Sequence, residues 1–396
     1  MNNSIVLFTD GFPYGTQEAF LGNEIRFLSE AFSSVRIVPL FMRKGVRGPL
    51  PSNVRVLPPV FVSRAKAMLA FARPSAWLTF AAAVSEGKLS SSRVRKSLKQ
   101  SVIISALKSR MGCRWSDFEA DLWYFYWGTN AVNVLPFLSS CPRSVARFHR
   151  FDLYEEDVEG GESQVFRERM LERLAAQCLV SADGMAYLNR MYGHLGLNPV
   201  LARLGVPDRG RGRGSEDGVL RLLTCSNVYA IKRVDLLASA LSTVSGTRIE
   251  WVHFGDGPRE YRDRVLKIAS RFPSNVRLQF MGRRPNNEVM EFFRSNPIDL
   301  FLNVSVSEGL PVSIMEALSF GCPVMATDCG GVSELVGDLN GRLLPVQISP
   351  ERLAREILDV GGRACGMREA ARSSWDEEVN AEKNYREFFE FLKHRV

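Results

Sequence analysis

Paired cysteines are missing from this sequence. Its seven cysteines (Cys113, Cys141, Cys178, Cys225, Cys322, Cys329 and Cys365) form an odd set without CxxC spacing, so neither a disulfide framework nor a zinc site is indicated. Long apolar runs are scarce too. The most apolar segment, residues 65–84, is interrupted by Lys66, Arg73 and Pro74, which argues against a membrane-spanning helix. The N-terminal MNNSIVLFTDGF has no basic region leading into an apolar stretch with a small-residue cleavage site, so no signal peptide is expected. No cluster of acids, or of histidine with cysteine, reads as a metal site. These absences point to a reduced, cytoplasmic setting.

Acids are nearly absent from one long stretch. Glu86 is the only one between Arg43 and Arg114, and the excess of 25 Lys/Arg over 17 Asp/Glu falls entirely within residues 1–204. Such a field favours an anionic surface or a phosphorylated acceptor. Residues 43–114 are therefore expected to make peripheral contact with an anionic membrane, against the plainer reading of a solvated basic face.

What is present is an alternation of short β-rich runs with helical patterns, the sequence form of parallel sheets with crossover helices. The composition, 45% hydrophobic and 24% charged, fits a compact globular chain, and 396 residues suit two α/β domains. Strands are expected at SIVLFTD, VRIVPLF, VRVLP, LWYFYW and SVARFH in the first half. In the second half they are expected at LRLLTCS, IEWVHFG, VRLQFMG, IDLFLNV, CPVMATD and GRLLP. The polar, glycine-rich residues 206–218 read as a linker, separating an N-terminal domain (1–205) from a C-terminal domain (219–374). The RGRGRG within the linker is short and lacks aromatics, so no nucleic-acid partner is expected. Residues 375–396 read as an amphipathic helix packing back toward the N-terminal domain.

The densest chemistry lies at Asn303–Leu318, where a strand ends, a Ser/Glu/Gly loop turns and Pro311 suits the first position of a helix. A helix start in the crevice at the strand ends is a natural seat for a diphosphate, because its unpaired N–H groups and dipole both favour anions. Glu308 and Glu316 can then grip hydroxyls on either side. Val228–Leu237 opens another helix after a strand, with Lys232 and Arg233 at its start, and a cation there would neutralise charge on a leaving diphosphate.

This string resembles the E-x7-E motif of family 4 (GT-B) glycosyltransferases, and Gly321–Val336 continues the resemblance. The resemblance implies two Rossmann-like domains with parallel sheets facing across a cleft. It implies a retaining hexosyl transfer from a nucleotide-sugar to a glycan or lipid-diphosphate-linked acceptor in surface polysaccharide biosynthesis, without a metal or other cofactor. By the same resemblance Glu308 contacts the donor sugar, Glu316 the ribose, and the amides of Gly309, Leu310, Pro311's neighbours Val312 and Ser313 the phosphates, with Lys232 as the phosphate-binding lysine. The arginine often found six residues before that lysine is Ser226 here, which leaves open whether Arg233 compensates. Gly255-Asp256-Gly257 and Gly282 resemble loops lining the nucleotide side, although Gly-Asp-Gly-Pro alone is only a turn signal. In the first half, Arg147–Glu156 resembles a segment of surface-polysaccharide enzymes in which His149 is the active-site histidine. Gly15 and Thr16 lie in a loop resembling the one that faces the transferred sugar. His194, His253 and His394 read as structural. Two rivals remain at this stage: an epimerase or phosphorylase on the same architecture, and a catalytically silent scaffold.

Overall fold

The computed structural model describes residues 3–15, 18, 20–45, 49–85, 91–155 and 164–396, apart from the side chains of 64–67. The chain divides into two compact units, one of residues 1–203 with 382–396 and the other of residues 204–381.

The first unit holds strands β1 (Ser4–Thr9), β2 (Ser34–Pro39), β3 (Val54–Val56), β4 (Leu122–Phe125), β5 (Arg143–Phe148), β6 (Ala176–Leu179) and β7 (Pro199–Leu201). Its helices are α1 (Leu21–Ala31), α2 (Arg64–Phe71), α3 (Pro74–Ser85), α4 (Ser91–Cys113), α5 (Arg150–Leu153), α6 (Arg167–Leu171) and α7 (Ala182–Tyr192). The second unit holds β8 (Leu220–Cys225), β9 (Ile249–Phe254), β10 (Val276–Gly282), β11 (Leu300–Asn303), β12 (Val324–Thr327) and β13 (Gly341–Leu344). Among them run α8 (Val234–Leu241), α9 (Arg259–Ala269), α10 (Asn286–Ser295), α11 (Val312–Ser319) and α12 (Pro350–Glu378), and α13 (Ala381–His394) ends the chain.

Both sheets are parallel throughout, in the orders β3-β2-β1-β4-β5-β6-β7 and β10-β9-β8-β11-β12-β13. Their central strands are apolar on both faces, as helices on each side require. Ile5, Val6, Leu7 and Phe8 of β1 are all buried, as are Leu300, Phe301 and Leu302 of β11. In each sheet the order reverses direction beside the first strand, between β1 and β4 and between β8 and β11. Loops leaving the strand ends there diverge to opposite faces and open a crevice, the usual ligand position in such sheets.

Every strand expected from sequence is present, and two more follow. β6 is only Ala-Gln-Cys-Leu, without β-branched residues, and the edge strand β7 opens on a proline; neither carries an alternating pattern. Two expectations about boundaries are corrected. Residues 206–218 are not a free linker: they lie in the second unit, where Gly212 N–H donates to Phe320 O (2.9 Å), Ser215 N–H to Asp299 Oδ1 (2.7 Å), and Arg372 pairs with Asp208 (2.6 Å). Asp299 and Arg372, distant in sequence, give that glycine-rich stretch the partners it lacks locally. The terminal helix likewise begins after residue 375, since α12 continues to Glu378 and Trp375 Nε1 donates to Val206 O within the second unit (3.0 Å). Residues 382–396 belong to the first unit. There Phe388 covers the buried Arg147 guanidinium at 4.3 Å, and Arg147 pairs with the equally buried Glu24 of α1 at 2.7 Å.

Candidate active site

The second unit's crevice is built from four loops, after β8, β9, β10 and β11. They are tied to one another mostly through backbone. Val306 N–H donates to Ile231 O (2.9 Å), Val228 N–H to Asp256 O (3.1 Å) and Gly255 N–H to Gly282 O (2.9 Å). Two glycines permit this approach: a Cβ on Gly255 would stand 1.8 Å from Ser226 O, and one on Gly257 2.0 Å from Val228 O. No other residue type fits at either position. Asp256 closes its own turn, accepting from Gly257 N–H (2.8 Å).

At the centre lie Lys232 and Glu308. Lys232 Nζ is 2.5 Å from Glu308 Oε1, and the same oxygen accepts from Ser305 Oγ (2.7 Å) and Asn303 Nδ2 (3.1 Å). A cation, a hydroxyl and an amide therefore hold one carboxylate oxygen in place. Pro311 sits one residue earlier than expected, at the cap of α11 with ψ 117°. Among the described residues nothing accepts from the Val312 and Ser313 N–H groups that follow it, the first two of α11. They are the unsatisfied donors that every helix start presents. Leu310 is buried, and Gly309 O accepts from Gly331 N–H (2.8 Å), which pins the loop to the segment after β12.

Glu316 lies on α11 and is held apart from Glu308. Its Oε1 accepts from Asn286 Nδ2 (2.7 Å), at the first residue of α10. Burial pushes its carboxyl up to about 7, although Asn286 and Arg209 oppose the shift. Burial, and then Glu316 itself, push the Cys225 thiol at the end of β8 up to about 12. Arg233 turns away from this centre. It adopts a left-handed backbone (φ 47°), and its guanidinium donates to Val304 O (2.7 Å) and Val346 O (2.6 Å), bracing loop against loop. Arg283, at the end of β10, reaches Asn227 Oδ1 at 3.3 Å and brings a cation next to Ser226.

In the first unit His149 follows β5. Its ring packs 4.4 Å from the Trp127 ring and 5.1 Å from that of Tyr126, its Nδ1 is 3.8 Å from Asp152 Oδ2, and its backbone N–H donates to Asp152 Oδ1 (2.6 Å). Its Nε2 has no hydrogen-bond partner among the described residues. Gly15 has φ 77° and lies against Arg43, whose Cβ is 2.8 Å from where a side chain would start. Thr16 lies outside the described residues. His253 is a core residue, bonded through Nδ1 to Thr224 (2.8 Å), whereas His194 and His394 lie on the surface beside Glu168 and Glu390.

Sequence reasoning did not single out the polar side chains that hold these groups. Glu18 accepts from Gly11 and Phe12 N–H (both 2.6 Å) and from Trp127 Nε1 (2.6 Å). Asp10, at the end of β1, accepts from Asn130 Nδ2 at 3.0 Å through both oxygens. Burial and then the charge of Glu18 push the Asp10 carboxyl up to about 6, against Asn130, Lys99 and Arg43. Asn130 has a left-handed backbone (φ 57°), which is uncommon outside glycine but shows only in the fold and not in the sequence. Asn286, Asn303 and Ser305 carry no such feature.

Residues 220–361 match the family described as Glycosyl transferases group 1. A putative teichuronic acid biosynthesis glycosyltransferase of Bacillus subtilis, TuaC, is 45% identical over 76 residues, 19% of this chain and 19% of that protein. An O-antigen biosynthesis glycosyltransferase of Escherichia coli, WbnH, is 32% identical over 113 residues, 28% of this chain and 30% of its own. The matches thus span less than a third of these curated relatives. Among solved structures, sucrose-phosphate synthase from Thermosynechococcus elongatus superposes with a TM-score of 0.71 over 99% of this chain and 98% of that one, at 14% identity. Anabaena HepE in complex with UDP and glucose does so with 0.65 over 98% and 99%, at 16% identity. Residues 220–361 are a glycosyl transferases group 1 domain, and the chain has the GT-B glycosyltransferase fold.

Proposed function

We propose that the protein is a retaining family 4 glycosyltransferase that moves a hexosyl group from a nucleoside-diphosphate sugar to a glycan or lipid-diphosphate-linked acceptor in surface polysaccharide biosynthesis. The observation that carries this reading is the contact of Lys232 Nζ with Glu308 Oε1 beside the open N–H groups of α11. A diphosphate settling on the Val312 and Ser313 amides competes with Glu308 for the lysine, because it offers more charge at close range. Freed of the cation, Glu308 accepts from hydroxyls of the donor sugar, and Lys232 neutralises the charge that builds on the leaving diphosphate. Glu316, poised by Asn286, is the partner for the ribose. Retention follows from attack on the face that the leaving group departs, with a phosphate oxygen taking the acceptor proton, and His149 takes the role of the family's active-site histidine. No metal is needed where lysine and amides carry the diphosphate, so turnover is expected to survive EDTA.

The names of the relatives, teichuronic acid and O-antigen biosynthesis among them, support a surface glycan as acceptor, and HepE with UDP supports a nucleotide donor. The site of action we propose is the cytoplasmic face of the cell membrane, touched through residues 43–114; no helix among the described residues is long and apolar enough to cross a bilayer. The test is a thermal-shift panel of UDP-, GDP- and ADP-sugars followed by transfer assays with NMR of the product anomer. One donor should raise the melting temperature by linkage and give a product of the donor's configuration. Binding without turnover would leave a silent scaffold, and no binding at all would remove the donor site.

A further inference from the structure

Between Pro58–Val60, the end of α2 and the last turns of α4, the first unit holds a cavity of about 430 Å³. Pro59, Val60, Leu69, Ala70 and Ala106 make its walls apolar, and its charged groups are all cationic: Arg73, Arg110 and Arg114. Arg110 donates to Pro58 O, which fixes its guanidinium at the wall. Burial pushes that guanidinium below its usual range, with Asp117 the acid that opposes the shift. None of the three arginines forms an ion pair with a described residue, although arginines elsewhere in the chain pair repeatedly.

The stretch of chain that supplies this cavity also carries an unusual surface. Of fifteen large apolar side chains exposed among the described residues, six are Val62, Met68, Leu69, Trp77, Leu78 and Trp115. Met68, Leu69 and Leu78 are 72%, 66% and 74% exposed, and Leu69 also lines the cavity. Apolar walls with three guanidinium groups and no acid among the lining residues suit an amphiphilic anion, since guanidinium pairs with phosphate through directed donors. An exposed apolar rim around a basic site suits a lipid layer better than water. Arg93 of α4 is buried and takes no part.

We propose that this cavity seats the phosphate headgroup of an anionic glycerophospholipid, with Leu69 and its neighbour Met68 entering the acyl region beside it. The assignment rests on the membrane-facing reading of residues 43–114 and narrows it to one pocket. It does not depend on the transfer reaction.

The experiment is cosedimentation of the full chain with vesicles of phosphatidylcholine, alone or with 30 mol% phosphatidylglycerol at about 0.1 M salt, where screening still permits the attraction. Arg73→Gln/Arg114→Gln is compared with Arg95→Gln/Lys96→Gln, which removes the same charge from α4 outside the cavity. The cavity pair should weaken partitioning onto anionic vesicles at least about tenfold and the control pair less than about twofold, because each basic residue at the surface contributes severalfold. Leu69→Ser, at an exposed position that does not endanger folding, should weaken it severalfold. Dihexanoyl phosphatidylglycerol below its micelle concentration should raise the melting temperature of the wild type but not of the cavity pair. Equal losses in both pairs would overturn the pocket while leaving diffuse membrane attraction standing, and a wild type that ignores anionic vesicles would overturn both. A thermal shift with glycerol phosphate as large as with the lipid would overturn the lipid assignment in favour of a soluble phosphate.

Discussion

The two sheets share one order over six strands, with β7 added at the edge of the first, yet the ends of their strands treat carboxylates in opposite ways. In the second unit Glu308 is matched by a cation, with Lys232 Nζ, a hydroxyl and an amide converging on one oxygen. In the first unit no cation among the described residues bonds the pair formed by Asp10 and Glu18: backbone N–H groups and Trp127 hold Glu18, and Asn130 holds Asp10. Like charge and burial then push the Asp10 proton affinity up to about 6. A carboxylate bonded to lysine yields its cation when a stronger anion arrives. A carboxyl beside another carboxylate gains or loses a proton near neutral pH. One edge is therefore arranged to exchange ions and the other to exchange protons.

The comparison breaks most severely if the ion pair is dispensable. Lys232→Ala and Glu308→Ala are each expected to lower kcat/KM at least about a hundredfold, on the order of 2.7 kcal/mol of transition-state stabilisation. Melting temperatures should change little, because the pair is partly exposed and such pairs contribute little to folding. Near-normal turnover in either variant would remove the pair from the chemistry.

A second effect, smaller, concerns Glu316, whose hydrogen-bond partner is the Asn286 amide and not a cation. Glu316 is held at about 7 by burial, so between the ordinary carboxyl range and pH 7 the folded protein keeps a proton that the unfolded chain has released. Its contribution to stability is complete below about pH 4.5 and is lost as pH rises through 7. In ligand-free protein the wild type should therefore lose about 2 kcal/mol relative to Glu316→Gln between pH 5 and pH 7, read from urea unfolding at each pH. Parallel stability curves for the two proteins would mean that Glu316 is ionised in the fold, and its assigned burial would fail.

The contrast between the edges also explains what could be read from sequence. Lys232, Glu308 and Glu316 each sit in a strand–loop–helix segment whose local pattern announces itself, so their neighbourhood was legible. Their positioning partners were not. Asn286 reaches Glu316 from the loop after β10, three strands away in the sheet from β11, and Asn130 reaches Asp10 because β4, not β2 alone, flanks β1. Such contacts depend on strand order, which a string of residues does not print. Arg233 shows the converse: its neighbourhood suggests a phosphate ligand, but its left-handed backbone turns the guanidinium onto Val304 O and Val346 O. The parallel α/β architecture was legible from alternation alone, whereas the partners that tie Asp208 and Ser215 into the second unit, Arg372 and Asp299, lie more than 80 positions away.

The last prediction separates the edges by what each binds. His149 belongs to the first unit, and its ring lies against those of Tyr126 and Trp127 with Nε2 unpartnered among the described residues. A buried imidazole nitrogen without a partner costs stability, so its retention suits a group that finds its partner in the bound substrate. His149→Ala is expected to reduce kcat about tenfold, on the order of 1.4 kcal/mol, while nucleotide affinity by calorimetry stays within about threefold. Loss of packing against Trp127 could mimic this result, and His149→Phe distinguishes the two, since it keeps a ring and removes the nitrogens. If the nitrogens matter, Phe should be as slow as Ala with a wild-type melting temperature. Recovery of turnover in the Phe variant would make His149 a packing residue, and an equal loss of nucleotide binding in both variants would place it on the donor's nucleotide side, erasing the division of labour between the two edges.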